Sequence, residues 1–280
     1  MTEHPGSDGI PPAAQAEAEV QAGRRMAPGD ATPAAPLPRN AGSWAARVDR
    51  LTVAGGGSRG SNVAGRRLTG PVQGFGKMWR KTYWIEVSPR ISPQTVIAEW
   101  KGHFGEFWPP GNRFKGPLTG LSPGDVALLD VSVGGGVRLS TGVFVLYADD
   151  ESFTLMTPQG HMFAGWITFS AERAGHAGER HVPAGAPTVV QTQVLMRAND
   201  PLYELAMSLG GHRKEDQFWV QTMTALARYL GALPATVHTR TVCIDRKRQW
   251  GNFGYVRHNS MVRSMLHSAT MIPQRGQRDK

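Results

Sequence analysis

The chain has 280 residues, 40% of them hydrophobic, with 34 glycines, 20 prolines, one cysteine and a formal net charge of +9. That apolar content can fill one large core or two small ones, the lone Cys243 excludes an internal disulfide and fits a reducing cytoplasm, and no window approaches the roughly 18 apolar residues of a membrane helix. The charge is uneven: residues 76–239 carry 14 basic and 14 acidic side chains, whereas residues 240–280 carry a net +7, which argues against nucleic acid for the body and leaves only the C-terminal segment to meet anions.

Residues 1–45 contain PPAAQAEAEV and APGDATPAAPLPRN and almost no large apolar side chain before Trp44. Such a composition cannot offset its ordering entropy, so a disordered tail is expected. It lacks the basic start and apolar run of a secretory signal. Residues 46–73 read as a linker, with a short helix over WAARVDRL at 44–51 before GGGSRGS breaks regular structure. KMWRKTYWIEV at 77–87 reads as a first strand, from its aromatic and branched residues.

Ser92 is suited to cap a helix with Pro93 at its first position. That helix is expected to run to Trp108, before Pro109, and to be split at Gly102 and Gly105. Its apolar stripe holds Val96, Ile97, Trp100, Phe104, Phe107 and Trp108. Four strands follow at 125–133, 137–147, 152–156 and 162–171, the first pair joined by a glycine turn. A Gly, Ala and His loop covers 172–187, and a last strand covers 188–197. Asp200 and Pro201 then open a long helix that Gly231 stops. Gly210 and Gly211 inside it cost about 2 kcal/mol of propensity and predict a kink. Residues 232–280 are expected to form a basic helical extension.

Strands segregated from helices imply an α+β fold, with its main domain at 74–231. The run TPQGHMFAGWITF, the strand VVQTQVLMRANDP and the closing helix resemble the helix-grip fold of the START/Bet v 1-like (SRPBCC) superfamily, in particular a bacterial branch with a Gly-His turn before a Gly- and aromatic-rich strand. The resemblance covers about residues 74–231. It implies a curved antiparallel sheet wrapped around a long C-terminal helix. It also implies lipid, sterol, polyketide or other apolar ligands between the two, with cyclisation in a few members. No cofactor is expected.

Several residues are candidates for the site. Strand 188–197 alternates Val189, Gln191, Gln193, Leu195 and Arg197 on one face with Val190, Thr192, Val194 and Met196 on the other. If the first face lines the hollow, Gln191, Gln193 and Arg197 orient a polar ligand head; if it meets solvent, the second face is core. His161 in the TPQGH turn is an acid–base or ligand-contact candidate, or a turn residue bonding nearby backbone. His212 and Glu215 share a helix face and with His161 suit acid–base or metal chemistry, or with Asp216 form an ordinary charged turn. His176 and His181 read as loop residues. Trp166 and Tyr203 are candidate wall residues, and core packing explains such aromatics as well.

No hydrolase, metalloprotease, phosphate-loop or dinucleotide motif has its required context, and no metal site is expected. The resemblance thus implies a binding protein for an apolar or amphipathic small molecule. The alternatives are a cyclase- or aromatase-type enzyme using His161 or His212, and an interaction module in which residues 240–280 meet an anionic membrane surface or nucleic acid. For that segment, packing over the outer sheet face is the competing expectation.

Overall fold

A computed structural model describes residues 41–53, 62–117, 120–134, 137–175 and 185–263. Residues 1–40, GGGSRGS, His176, His181 and residues 264–280 lie outside this set.

Alternating burial builds the sheet. Strand β1 covers Leu68–Thr69, β2 Met78–Val87, β3 Arg113–Lys115, β4 Val126–Gly134 and β5 Val137–Ala148. Strands β6 (Ser152–Pro158), β7 (Phe163–Arg173), β8 (Thr188–Ala198) and β9 (His238–Asp245) complete it. Their order is β3-β4-β5-β6-β7-β8-β2-β9, with β1 beside β6, and every pairing is antiparallel. Consecutive strands are neighbours from β3 to β8, as short turns require. The sheet then passes from β8 to β2, which brings the first long strand beside the last one predicted.

Helix α1 (Pro93–Gly102) starts at Ser92, whose Oγ accepts from Thr95 N at 3.0 Å. The split expected at the glycines occurs, since Phe104–Phe107 is a separate 3-10 turn. Helix α2 (Pro201–Ala206) is capped by Asp200, whose Oδ1 accepts from Leu202 N and Tyr203 N. A π-turn at Met207–Gly211 joins it to α3 (His212–Tyr229).

One apolar cluster unites both sides. It holds Tyr83 and Ile85 of β2, Leu129 of β4, Val143 of β5, Phe153 of β6, Phe169 of β7 and Val190 of β8 with Trp100 of α1 and Met223 and Leu226 of α3. Six flat strands would span about 24 Å at their usual spacing, about twice a helix diameter. Sharing one core with so few helices makes the sheet curl around them. The result is the α+β helix grip. A smaller cluster, Leu51, Val63 and Phe144, covers the outer face.

Two expectations change. The stretch 44–51 forms no helix: Trp44 bridges to Tyr147 as extended chain and packs its ring edge-on to that of Tyr147 at 4.7 Å. The C-terminal extension is helical only in part, because His238–Asp245 is a strand that lies along β2 in register from Trp84↔His238 to Trp79↔Cys243. Thr, Val, Cys and Ile in HTRTVCID favour that pleated edge, and the neighbouring basic run masks the pattern in the sequence. A 3-10 helix at Trp250–His258 follows.

Candidate ligand cavity

The kink at the paired glycines shapes the space below it. Leu209 leaves helical geometry at φ −88°, ψ 22°, and Gly210 takes φ 111°, a value that only glycine adopts cheaply. A Cβ on Gly211 would lie 2.8 Å from Met207 Sδ. Beneath the bend lies a cavity of about 460 Å³. Its floor includes Leu129, Val143, Leu155, Ile167, Val194 and Met196 from strands β4 to β8. Tyr203, Ala206, Met207, Phe218 and Trp219 close it from the helices, and Phe104, Trp108 and Met261 from the sides. This volume falls within the range of small-molecule sites, and its walls are mostly apolar, as in such sites generally.

His161 borders the cavity and is buried. Its turn is held from three directions. His161 N donates to Pro158 O at 3.1 Å, its carbonyl accepts from Asn199 Nδ2 at 2.9 Å, and Ser260 N donates to Gly160 O at 2.9 Å. Gly160 has φ 89°, and a Cβ there would sit 2.1 Å from His258 O. The chain thus needs glycine before this histidine. Burial pushes His161 down to about 4, so it is neutral at neutral pH.

Glu215 also borders the cavity. Its Oε2 lies 2.8 Å from Nζ of fully buried Lys81, an ion pair rather than an aligned hydrogen bond. Its Oε1 is buried and has no hydrogen-bond partner among the described residues. Lys81 Nζ also donates to Asp216 Oδ1 at 2.8 Å and His212 O at 3.3 Å, while Tyr83 OH donates to the same Asp216 oxygen at 2.6 Å. Burial pushes Glu215 up to about 7 against the opposing pull of Lys81. Burial also raises the Tyr83 hydroxyl, with Glu215 and Asp216 adding to it.

Of the other candidate residues, Trp166 and Tyr203 border the cavity, and Gln191, Gln193, Arg197 and His212 do not. Val190, Thr192, Val194 and Met196 are the buried face of β8; Gln191 and Gln193 therefore point to the outer face, and neither borders the cavity. Arg197 shares that register but is buried, with Nη1 donating to Gly76 O at 2.6 Å and Lys247 O at 2.7 Å and Nη2 paired to Asp245. It ties β8 to the C-terminal segment and does not meet the cavity. His212 packs its ring against Trp79 at 4.9 Å, away from the cavity, and burial lowers it to about 4. Trp166 borders the cavity, but its ring lies on the outer face, where a Cβ at Gly70 would be 3.6 Å from Cζ3. Tyr203 borders the cavity, its hydroxyl accepting from Met261 N at 3.1 Å.

Three contributors were not singled out as site residues from the sequence. Lys81 stands in the register of Tyr83, Ile85 and Val87, so alternation alone marks it as core-facing. Asn259 and Met261 carry no local signal, yet Asn259 is fully buried against Asp200 and Met261 closes the cavity. Among the described residues no group of three or more His, Cys, Asp or Glu side chains is placed to hold a metal ion.

No protein-family model and no curated protein matches the chain. Solved structures with a similar outline include the NMR structure of KanY protein (ms6282), at 9% identity over 54% of this chain and 95% of that one, TM-score 0.38. Ara h 8.0201 matches at 13% identity over 55% of this chain and 99% of its own, TM-score 0.35. The di-domain ARO/CYC StfQ from the steffimycin biosynthetic pathway matches at 8% identity over 55% of this chain and 52% of its own, TM-score 0.38.

Proposed function

We propose that the chain binds a largely apolar small molecule between the curved sheet and helices α2 and α3. One observation carries this reading: a cavity of about 460 Å³ walled by aliphatic and aromatic side chains lies where a well-packed core would otherwise continue. Interiors pack to crystal density, and unfilled apolar space forfeits dispersion contacts. A ligand that restores those contacts explains why the space is kept. Native mass spectrometry of the full chain, purified and then exposed to a cell lipid extract, tests the proposal. Retained small-molecule adducts with raised thermal stability are expected; a chain that stays bare across the extract overturns it.

A second reading, an acid–base enzyme of cyclase or aromatase type, is favoured by Glu215. A carboxyl pushed up to about 7 beside the cavity is near half protonation at neutral pH, the condition in which a group both gives and takes a proton efficiently. His161 keeps its candidacy as a contact residue. His212 is not among the residues that border the cavity. The interaction-module reading gains nothing from the structure: the described part of the basic segment is folded onto the body through β9, Arg248–Glu204 and Asn259–Asp200.

A further inference from the structure

Several polar groups on the cavity wall are already used. The Thr157 hydroxyl accepts from Gly165 N at 3.1 Å and donates to Gly165 O at 3.1 Å. The Tyr203 hydroxyl accepts from Met261 N and faces Gly160 O at 3.5 Å. One Glu215 oxygen is paired with Lys81, while Glu215 Oε1, an acceptor when ionised, and the Trp108 Nε1 donor are buried without a hydrogen-bond partner among the described residues. His161 adds a donor that its own turn holds in place. Phe163 N–H lies 3.0 Å from its Nδ1 with hydrogen-bond geometry. An amide N–H only donates, so Nδ1 must present its lone pair, and the single proton of the neutral ring resides on Nε2. The Phe163 carbonyl at 3.3 Å from the same Nδ1 is the longer contact and does not compete. Nε2–H has no partner among the described residues, on a residue that borders the cavity and whose backbone is clamped by Pro158, Asn199 and the Gly160–Ser260 contact.

We propose that His161 is a fixed hydrogen-bond donor of the cavity, presenting Nε2–H to an acceptor oxygen, so that the ligand is an apolar molecule bearing a carbonyl-type oxygen rather than a plain hydrocarbon. This rests on the binding reading above and adds the chemistry of the bound molecule. A donor held in place by its own turn costs little further ordering when it pairs, and leaving it unpaired beside a desolvated ligand would be costly.

The test compares a naphthyl methyl ketone with ethylnaphthalene, which has nearly the same shape and no acceptor. Affinities for the full chain are measured by calorimetry, and the ketone C=O stretch is recorded by infrared spectroscopy. The ketone is expected to bind about three- to tenfold tighter, the net worth of one neutral hydrogen bond, with its stretch shifted to lower frequency. In His161→Phe the preference and the shift should both vanish. Should that variant fail to fold, the Nε2–H proton resonance of His161 in the wild-type chain is followed by NMR with and without the ketone, and a resonance that does not move overturns the assignment. Equal affinities with an unshifted stretch overturn the assignment of His161 and leave the binding reading intact. Binding of neither probe counts against the cavity as a site for molecules of this class and overturns the assignment with it. A preference that persists in a folded His161→Phe variant shows that another donor is responsible, and also overturns it.

Discussion

Lys81 and Arg197 are both buried cations, and they are satisfied in different ways. Three oxygens lie within 3.3 Å of Lys81 Nζ, two of them carboxylate. Arg197 instead spends Nη1 on two backbone carbonyls and Nη2 on Asp245. Removing one partner of a buried pair costs more than the pair is worth, because the other charge is stranded. Asp245 is partly exposed and can rehydrate, so Arg197→Met is expected to lose about 2–3 kcal/mol, below the full cost of a stranded buried charge; urea unfolding would measure it. A second residue-level prediction concerns pH. Glu215 titrates near 4.5 when unfolded and near 7 in the fold. Between those values the folded chain binds more protons, so this carboxyl makes stability fall as pH rises from about 4.5 to about 7, and adds no further slope above. Denaturation of Glu215→Gln beside the parent across that window should show the parent losing ground as pH rises; parallel curves would contradict the assigned burial.

At the scale of elements, the TPQGH turn and the strap that follows the 3-10 helix act as one unit. Gly160 accepts from Ser260 N, Asn259 Nδ2 donates to Asp200 Oδ2 at 2.8 Å, and Asp200 in turn caps α2. The turn, the strap and the helix start are therefore linked through a chain of hydrogen bonds. A methyl at residue 160 meets both a positive φ and the His258 carbonyl. Gly160→Ala should cost about 2 kcal/mol or more, and hydrogen exchange should quicken at residues 259–263 before the rest of the fold. The kink between α2 and α3 was legible because two adjacent glycines interrupt an otherwise periodic stripe. The strap was not legible, since its role depends on a contact with Asp200 across 59 residues of sequence.

For the whole molecule, the cavity reading predicts that closing the space abolishes binding without unfolding the chain. Ala206 borders the cavity yet is exposed, which places it at the rim. Ala206→Trp is expected to weaken probe binding by about tenfold or more, equivalent to about 1.4 kcal/mol, while the melting temperature stays close to the parent's. Unchanged affinity would put the ligand elsewhere.

The sequence by itself determined the α+β class, the central strands, both helix caps and the kink. Each of these follows from local patterns: period-two alternation, Ser or Asp before Pro, and a glycine pair. It also brought Glu215, His161 and Tyr203 to notice. Tertiary structure decided which face of β8 points inward. Alternation at 188–197 offered two faces, and only packing against α3 selects Val190, Thr192, Val194 and Met196 over Gln191 and Gln193. The same packing placed Lys81 under Glu215, moved His212 off the cavity and enlisted His238–Asp245 as an edge strand. A side chain's chemistry is written in the sequence, but its neighbours, and hence its charge state and role, depend on which distant strand the chain brings beside it.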